Sequence, residues 1–279
     1  MSFPFRRSGG SGGGGRLVIA VVLVLISVIT YYSQQQKNPV TGETQHVSMS
    51  PEQEVALGLQ AAPEMAAQYG GEYPDAGAQA LVDKVGNRIV AGSPAGRSGY
   101  PFEFHLLADL STINAFALPG GQIFITAGLM EKLDTEGELA GVLGHEIGHV
   151  VGRHGAEQMA KAQLTQGLTG AAVIATYDPS DPNSRNSAAV AQMIGGLINM
   201  KYGRDDELES DRLGVEYAAA SGFDPRSMLR VMEVLAEASQ GQAPPEMMRT
   251  HPDPGNRAER IEQLIQELFP GGVPEGLVR

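Results

Sequence analysis

Residues 145–149 read His145-Glu146-Ile147-Gly148-His149. Two histidines four residues apart lie one above the other on a single helix face. Their ring nitrogens can then meet at one metal ion. Glu146 projects about 100° further round the helix, where it stands beside such a metal and suits a general base better than a ligand. The flanking residues support the helix. Thr135 followed by Glu138 is a capping-box start. Leu139, Val142, Leu143, Ile147, Val150 and Val151 recur at helical spacing, so one stripe is expected to face a core, with the two histidines flanking it.

Composition narrows the chemistry. The chain has 279 residues, 42% of them hydrophobic, a formal net charge of -12 and no cysteine. That length suits one large domain or two small ones. The acidic balance offers no footing for nucleic acid. The missing cysteines exclude disulfides, thiolate metal sites and a cysteine nucleophile. A metal must be held by His, Asp or Glu, which favours a catalytic zinc over a structural one.

A catalytic zinc takes three protein ligands and leaves one position open. His154 sits near the spacing of an extended zinc motif, but that motif needs a histidine at 155, where Gly155 stands. On a continued helix His154 would point away from His145, so it is expected near the helix end, off the metal. The other candidate is Glu207-Leu208-Glu209-Ser210-Asp211. Glu207 and Asp211 share one face with Leu208 and Val215 beside them, which turns the carboxylates inward. Glu207 as third ligand, with Asp211 accepting a hydrogen bond from a ligating imidazole, removes the penalty of burying them. Glu209 falls on another face and is expected in solvent. An acidic surface patch with Asp205 and Asp206 is the alternative that spacing leaves open.

The chain divides as follows. Residues 1–16 are a basic, glycine-rich tail with Arg6, Arg7 and Arg16. Residues 17–32 run almost without interruption through apolar side chains to Tyr31 and Tyr32, and read as a signal anchor with its N-terminus inside. A cleaved signal peptide is the alternative. Residues 33–49 are polar and read as a linker. Residues 50–269 form the catalytic domain, and 270–279 a frayed tail. Ser50-Pro51 opens a helix with Val55, Leu59, Ala62 and Ala66 inward. Leu81, Val82, Val85 and Ile89 mark a second, stopped at Gly92. Phe102 to Leu106 alternates as a strand, with His105 on the face opposite Phe102 and Phe104. Asn114–Leu118 and Gln122–Thr126 are short strands around a Pro119-Gly120-Gly121 corner. Residues 155–200 read as two core helices or as a lid or membrane-facing flap over the cleft. Three further helices follow, over 207–220 and after Pro225 and Pro254.

Three blocks carry a family resemblance. They are Asn114 to Gly121 with Gly128-Leu129, His145 to His149 with Arg153-His154, and Lys201 to Arg204 with Glu207, Asp211 and Arg212. Thr250-His251-Pro252 with Arg257 is a fourth, weaker one. Together they resemble metallopeptidase family forty-eight, the gluzincins of the HtpX, CAAX prenyl-protease and periplasmic quality-control type. Gly203 and Ser210 depart from the residues usual there, Ser and Ala, and both are small. The resemblance implies an α+β, mostly helical zincin-like core with a short, small sheet, to which the apolar run 17–32 adds one N-terminal transmembrane helix. It implies one Zn2+ per chain on His145, His149 and Glu207, with Glu146 as base and Asp211 behind the ligands as a possible proton relay. His251 is then an oxyanion donor or the occupant of zinc's fourth position, and Arg257 a candidate substrate contact. Asn114, Ala115 and Phe116 are expected as a sheet edge that pairs with extended substrate. The implied function is a zinc-dependent endopeptidase for polypeptide substrates, unfolded or misassembled envelope proteins, on the extracytoplasmic side of a membrane. A chaperone-like binding module on the same fold is the alternative.

Overall fold

A computed structural model describes residues 12–176, 202–239, 244–252 and 255–279. The chain enters through a long apolar helix, α1 (Gly12–Ser33). The polar stretch after it is a hairpin of β1 (Gln35–Lys37) and β2 (Thr44–His46) where a linker was expected. It docks by its amide side chains: Asn38 donates to the Val151 carbonyl at 2.8 Å and Gln45 to that of Gly152 at 2.6 Å. Those carbonyls end the metal-motif helix and have no intrahelical donor. They lie more than a hundred residues away in sequence, so no local pattern announces the pairing.

Helix α2 (Pro51–Gln68) starts as its sequence indicates, with Ser50 and Gln53 in a full capping box. Its inward face differs. Leu59 is 49% exposed, while Glu54 and Gly58 are buried. Arg153 supplies the counter-charge that lets Glu54 turn inward. At Gly58 any Cβ would come within 2.2 Å of the Pro119 carbonyl oxygen. Helix α3 (Ala76–Gly92), capped by Asp75, buries Val82, Val85 and Ile89 as expected.

Strands β3 (Glu103–Leu107), β4 (Ala115–Ala117) and β5 (Gln122–Thr126) form a sheet in the order β3-β5-β4. β5 runs parallel to β3 and antiparallel to β4, which leaves β4 at an edge. The corner between β4 and β5 uses Gly120 and Gly121 at φ 85° and 111°, a region that favours glycine. Helix α4 (Ala127–Met130) leads to α5 (Glu136–Val151), which carries the metal motif. The Thr135 hydroxyl accepts from the Glu138 amide at 3.2 Å. Beyond lie α6 (His154–Thr176), α7 (Arg204–Ala220), α8 (Ser227–Ala238), α9 (Glu246–Thr250) and α10 (Arg257–Leu268).

Helix α5 is buried on every side from Gly137 to Val151, where a single apolar stripe was expected. Its glycines explain this. Gly144 backs onto the Gly214 carbonyl and Gly148 onto the Cα of Ser210, each close enough that an added Cβ would sit 3.1 Å away. α7 therefore lies almost backbone to backbone on α5. The other face meets α3 and the sheet around Leu139, Val142 and Leu143.

The expected frayed tail is pinned. Val278 donates to the Gly222 carbonyl at 3.0 Å, Asp224 donates to that of Val278 at 2.8 Å, and Arg279 lies 3.3 Å from the Asp224 carboxylate. The described part of the expected lid, α6, runs along α1. Residues 177–200 of that expectation lie outside the described residues.

Candidate metal centre

His145 and His149 stand one turn apart on α5 with their Nε2 atoms 3.0 Å from each other. Each ring is held from behind by its other nitrogen. His145 Nδ1 is 2.9 Å from Asp211 Oδ1, and His149 Nδ1 is 2.9 Å from His154 Nδ1. The close seat of α7 brings Glu207 to 3.6 Å from His145 Nε2 and 3.5 Å from His149 Nε2. His251, just past α9, sets its Nδ1 3.0 Å from Glu207 Oε1 and 3.4 Å from His145 Nε2. One ligand atom from each of His145, His149, Glu207 and His251 lies within 4.8 Å of the others, and all four residues are buried. Three imidazoles and a carboxylate aimed at one interior point are costly without a cation between them. The nitrogen and oxygen donors, with no thiolate, fit zinc.

Glu146 is fully buried, and neither carboxylate oxygen accepts a hydrogen bond among the described residues. His251 stands beside it, with Nε2 3.6 Å from Oε1. Burial raises the Glu146 pKa, and the imidazoles of His251 and His145 oppose that only in part. For Glu207 burial also raises, but His251 and His149 outweigh it and hold the carboxyl well below its usual range. Burial pushes the His149 pKa down, which favours the neutral ligating form.

A salt-bridge layer lies beneath. Arg257, at the start of α10, donates from Nε and an Nη to the two Asp211 oxygens at 2.7 and 2.6 Å. Its other Nη is 3.1 Å from Glu207 Oε2. Burial would raise the Asp211 pKa, but Arg257 and His145 reverse the shift and lower it. Above the cluster a cleft of about 190 Å³ opens between α2 and β4, lined by Leu57, Ala61 and Met65 on one side and Phe116 and Leu118 on the other, with Tyr202 and His251 also lining it.

Residues 77–265, more than half of the chain, match Peptidase family M48. The chain belongs to peptidase family M48. It is 34% identical over 238 residues to the beta-barrel assembly-enhancing protease of Yersinia pestis, covering 83% of this chain and 48% of that one. It is 33% identical to the Escherichia coli K12 protein of the same name, over 68% of this chain and 39% of that one. It is 35% identical to the mitochondrial metalloendopeptidase OMA1 of Bos taurus, over 58% of this chain and 32% of that one. The chain thus spans about half or less of the length of these relatives.

In this M48 chain the residues singled out by the sequence do meet: His145, His149, Glu207 and His251 at one point, Glu146 beside them, Asp211 behind His145. Among the edge-strand candidates, Asn114 and Phe116 line the cleft, and Ala115 pairs with Ile125 of β5. The Asn114 amide donates to the Tyr69 hydroxyl at 3.2 Å. Arg257 is only 4% exposed and faces the carboxylates. Glu209, expected in solvent, lies 3.2 Å from His154 Nε2. His154 reaches that place because the helix breaks before it: Arg153 adopts φ 58° between α5 and α6. Sequence reasoning gave Tyr202 no role. Its ring stacks on His149 at 3.9 Å between centroids, and burial keeps its hydroxyl protonated. The signal for it was its place in the Lys201 to Arg204 block, one position before the Gly203 N-cap of α7.

Proposed function

We propose that the chain is a zinc-dependent endopeptidase that cleaves extended segments of unfolded or misassembled envelope proteins. The observation that carries this reading is Glu146: a buried carboxylate with no hydrogen-bond partner among the described residues, beside two imidazoles turned toward a common point. A purely structural core has no use for that arrangement. His145, His149 and Glu207 would hold the metal. When bound, the cation supplies Lewis acidity, bringing the pKa of a water toward about 7 and polarising the scissile carbonyl.

The protein's own groups do the rest. Glu146 takes a proton from the attacking water at a carboxylate oxygen and delivers it to the leaving amine. Its raised pKa suits both halves of that transfer. Asp211 and His154 keep the two imidazoles oriented. Arg257 neutralises Asp211 and Glu207 from below, which makes it a positioning group. His251 stands at the open side, as oxyanion donor or as occupant of the fourth position. β4 offers its edge to a peptide backbone, and the apolar cleft beside it takes a side chain.

The relatives named for β-barrel assembly point the substrate class toward the envelope. The N-terminal helix supports a membrane location: Gly14–Ser33 has a mean hydropathy of 2.2 and only 6% of it is buried. Arg6, Arg7 and Arg16 before it, and Lys37 alone soon after, orient the N-terminus inside and the catalytic domain outside. Full-length protein in mild detergent should contain one zinc per chain and cleave casein, lose cleavage to a chelator and regain it with zinc. A zinc-loaded preparation that cuts no unfolded protein refutes the reading.

A further inference from the structure

Helix α1 carries a half-buried stripe along an otherwise exposed surface. Ala20, Val24, Ser27 and Tyr31 are shielded, at spacings of four, three and four, while Leu17, Val21, Leu25 and Ile29 are at least half exposed. Helix α6 mirrors it. Ala160, Leu164, Gly167 and Ala171 are shielded at the same spacings, the seam of two helices packed side by side. The register is set at one point: a Cβ on Gly167 would meet the Ser27 hydroxyl at 2.1 Å, so backbone lies against side chain there. At the domain end, Lys161 and Glu157 lie within electrostatic reach of the Tyr31 hydroxyl. The two helices are therefore antiparallel and level. Nine residues back from Ser27 is Val18, and nine on from Gly167 is Thr176.

That register aligns the chemistry of the two helices. Between Lys161 and Asp178 the sequence has no charged residue, and none falls between Arg16 and Lys37. The charges of α6, Glu157 and Lys161, both lie level with the domain end of α1 or beyond it. The exposed polar residues Gln163 and Gln166 lie opposite Val28 to Tyr31, at the depth where Tyr31 and Tyr32 would meet lipid headgroups. From Gly167 to Thr176 only small and apolar residues and threonines remain. On its own this stretch is too short and too mildly apolar to read as a span. Laid level with α1, it reaches the same depth.

We propose that α6 enters the lipid bilayer beside α1, as the second helix of a paired membrane anchor whose outer faces take hydrocarbon as their partner. The inference rests on the anchor reading of α1. Small residues on the seam let the backbones approach, which is how helices associate where lipid removes the hydrophobic drive. The matched uncharged runs give about 22 Å of helix against a hydrocarbon core of about 30 Å, a mismatch met by local thinning or by the tyrosine and glutamine girdle. The consequence concerns the metal centre. α6 begins at His154, which touches His149, so the cluster stands about 10 Å of helix, seven residues, above the membrane surface at Lys161. The cleft is held at the membrane, within reach of polypeptide segments close to its surface.

The chain has no cysteine, so single cysteines report without background. Leu25→Cys, Leu168→Cys and, as an aqueous control, Lys84→Cys would each be made in the full chain. Unsealed membrane fragments would be treated with a membrane-impermeant maleimide before and after detergent. Leu25→Cys and Leu168→Cys should both resist until detergent is added, while Lys84→Cys labels throughout. Leu168→Cys labelling as fast as Lys84→Cys, with Leu25→Cys protected, overturns the α6 proposal and leaves the anchor standing. Leu25→Cys labelling freely removes the anchor and the proposal together.

Discussion

Arg257→Met tests whether the metal centre depends on charge compensation from below. Methionine keeps much of the length of arginine and removes the guanidinium. Asp211, 3% exposed, then loses two charge-assisted hydrogen bonds, and Glu207, fully buried, loses a cation at 3.1 Å. Removing one partner of a buried ion pair costs about 3–5 kcal/mol, because the other charge is left uncompensated. Here one guanidinium serves two carboxylates, so the metal-free variant should lie near the top of that range. Domains of this kind are stable by roughly 5–15 kcal/mol in all, so urea unfolding in detergent with a chelator present should show a large fall in midpoint at unchanged slope. Zinc adds about 2.7 kcal/mol at a hundredfold excess over its Kd. Zinc should add more to the variant, since the cation supplies to Glu207 the charge that Arg257 no longer does, so the gap should narrow. A loss below about 1 kcal/mol in chelator, or a gap that widens with zinc, refutes the argument. Arg257→Lys should recover only part of the loss, because a point charge cannot reproduce the two-pronged contact with Asp211.

Glu146→Gln should lower proteolytic turnover by about 10²–10⁴ with zinc content unchanged; more than a tenth of the parent rate counts against a general base. Metal analysis should find zinc missing from Glu207→Ala and present in Glu209→Ala and His154→Ala, and the reverse pattern would reassign the third ligand. His251→Ala should shift turnover at least about tenfold at unchanged zinc, down if it donates to the oxyanion and up if it blocks the open position; parent-like rates at saturating and limiting substrate would leave it no role. Asp224 is held below the usual carboxyl range by its hydrogen bonds to Arg226, so its contribution is present above roughly pH 3.9, the unfolded value, and fades as pH falls through the lower folded one. Asp224→Asn should therefore unfold more easily than the parent at pH 7 and like it in strong acid, and a gap that persists in acid contradicts this.

The features legible in sequence were those with a local period or a local partner. The i, i+4 pairs His145/His149 and Glu207/Asp211 lie within one turn of their own helices, so spacing alone brings each pair to one face. Ser50, Thr135 and the Gly120-Gly121 corner act on backbone within a few residues of themselves. What was not legible has its partner far away. The burial of Glu54 has no local sign, because its cation, Arg153, is 99 residues on. Asn38 and Gln45 looked like linker because the carbonyls they satisfy end a distant helix. Arg257 looked like a substrate contact because nothing local shows the two carboxylates it faces.

The glycines of α5 mark the boundary between these cases. Gly137, Gly141, Gly144 and Gly148 recur at spacings of four, three and four, as regular as the apolar stripe on the other face. A hydrophobicity pattern scores them as nothing, since glycine is neither apolar nor polar enough to count. Sterically they are the strongest signal in the helix, because a row without Cβ atoms lets another backbone lie against it. Gly144 and Gly148 meet Gly214 and Ser210, small residues that on α7 lie within four positions of Asp211. The separation of α5 and α7 sets how far Glu207 stands from the two imidazoles, so the ligand geometry is decided by residues that carry no functional group. The same rule returns at Gly167 against Ser27. In this chain small residues at helical spacing identify which helices touch, and the reactive side chains then fall where those contacts put them.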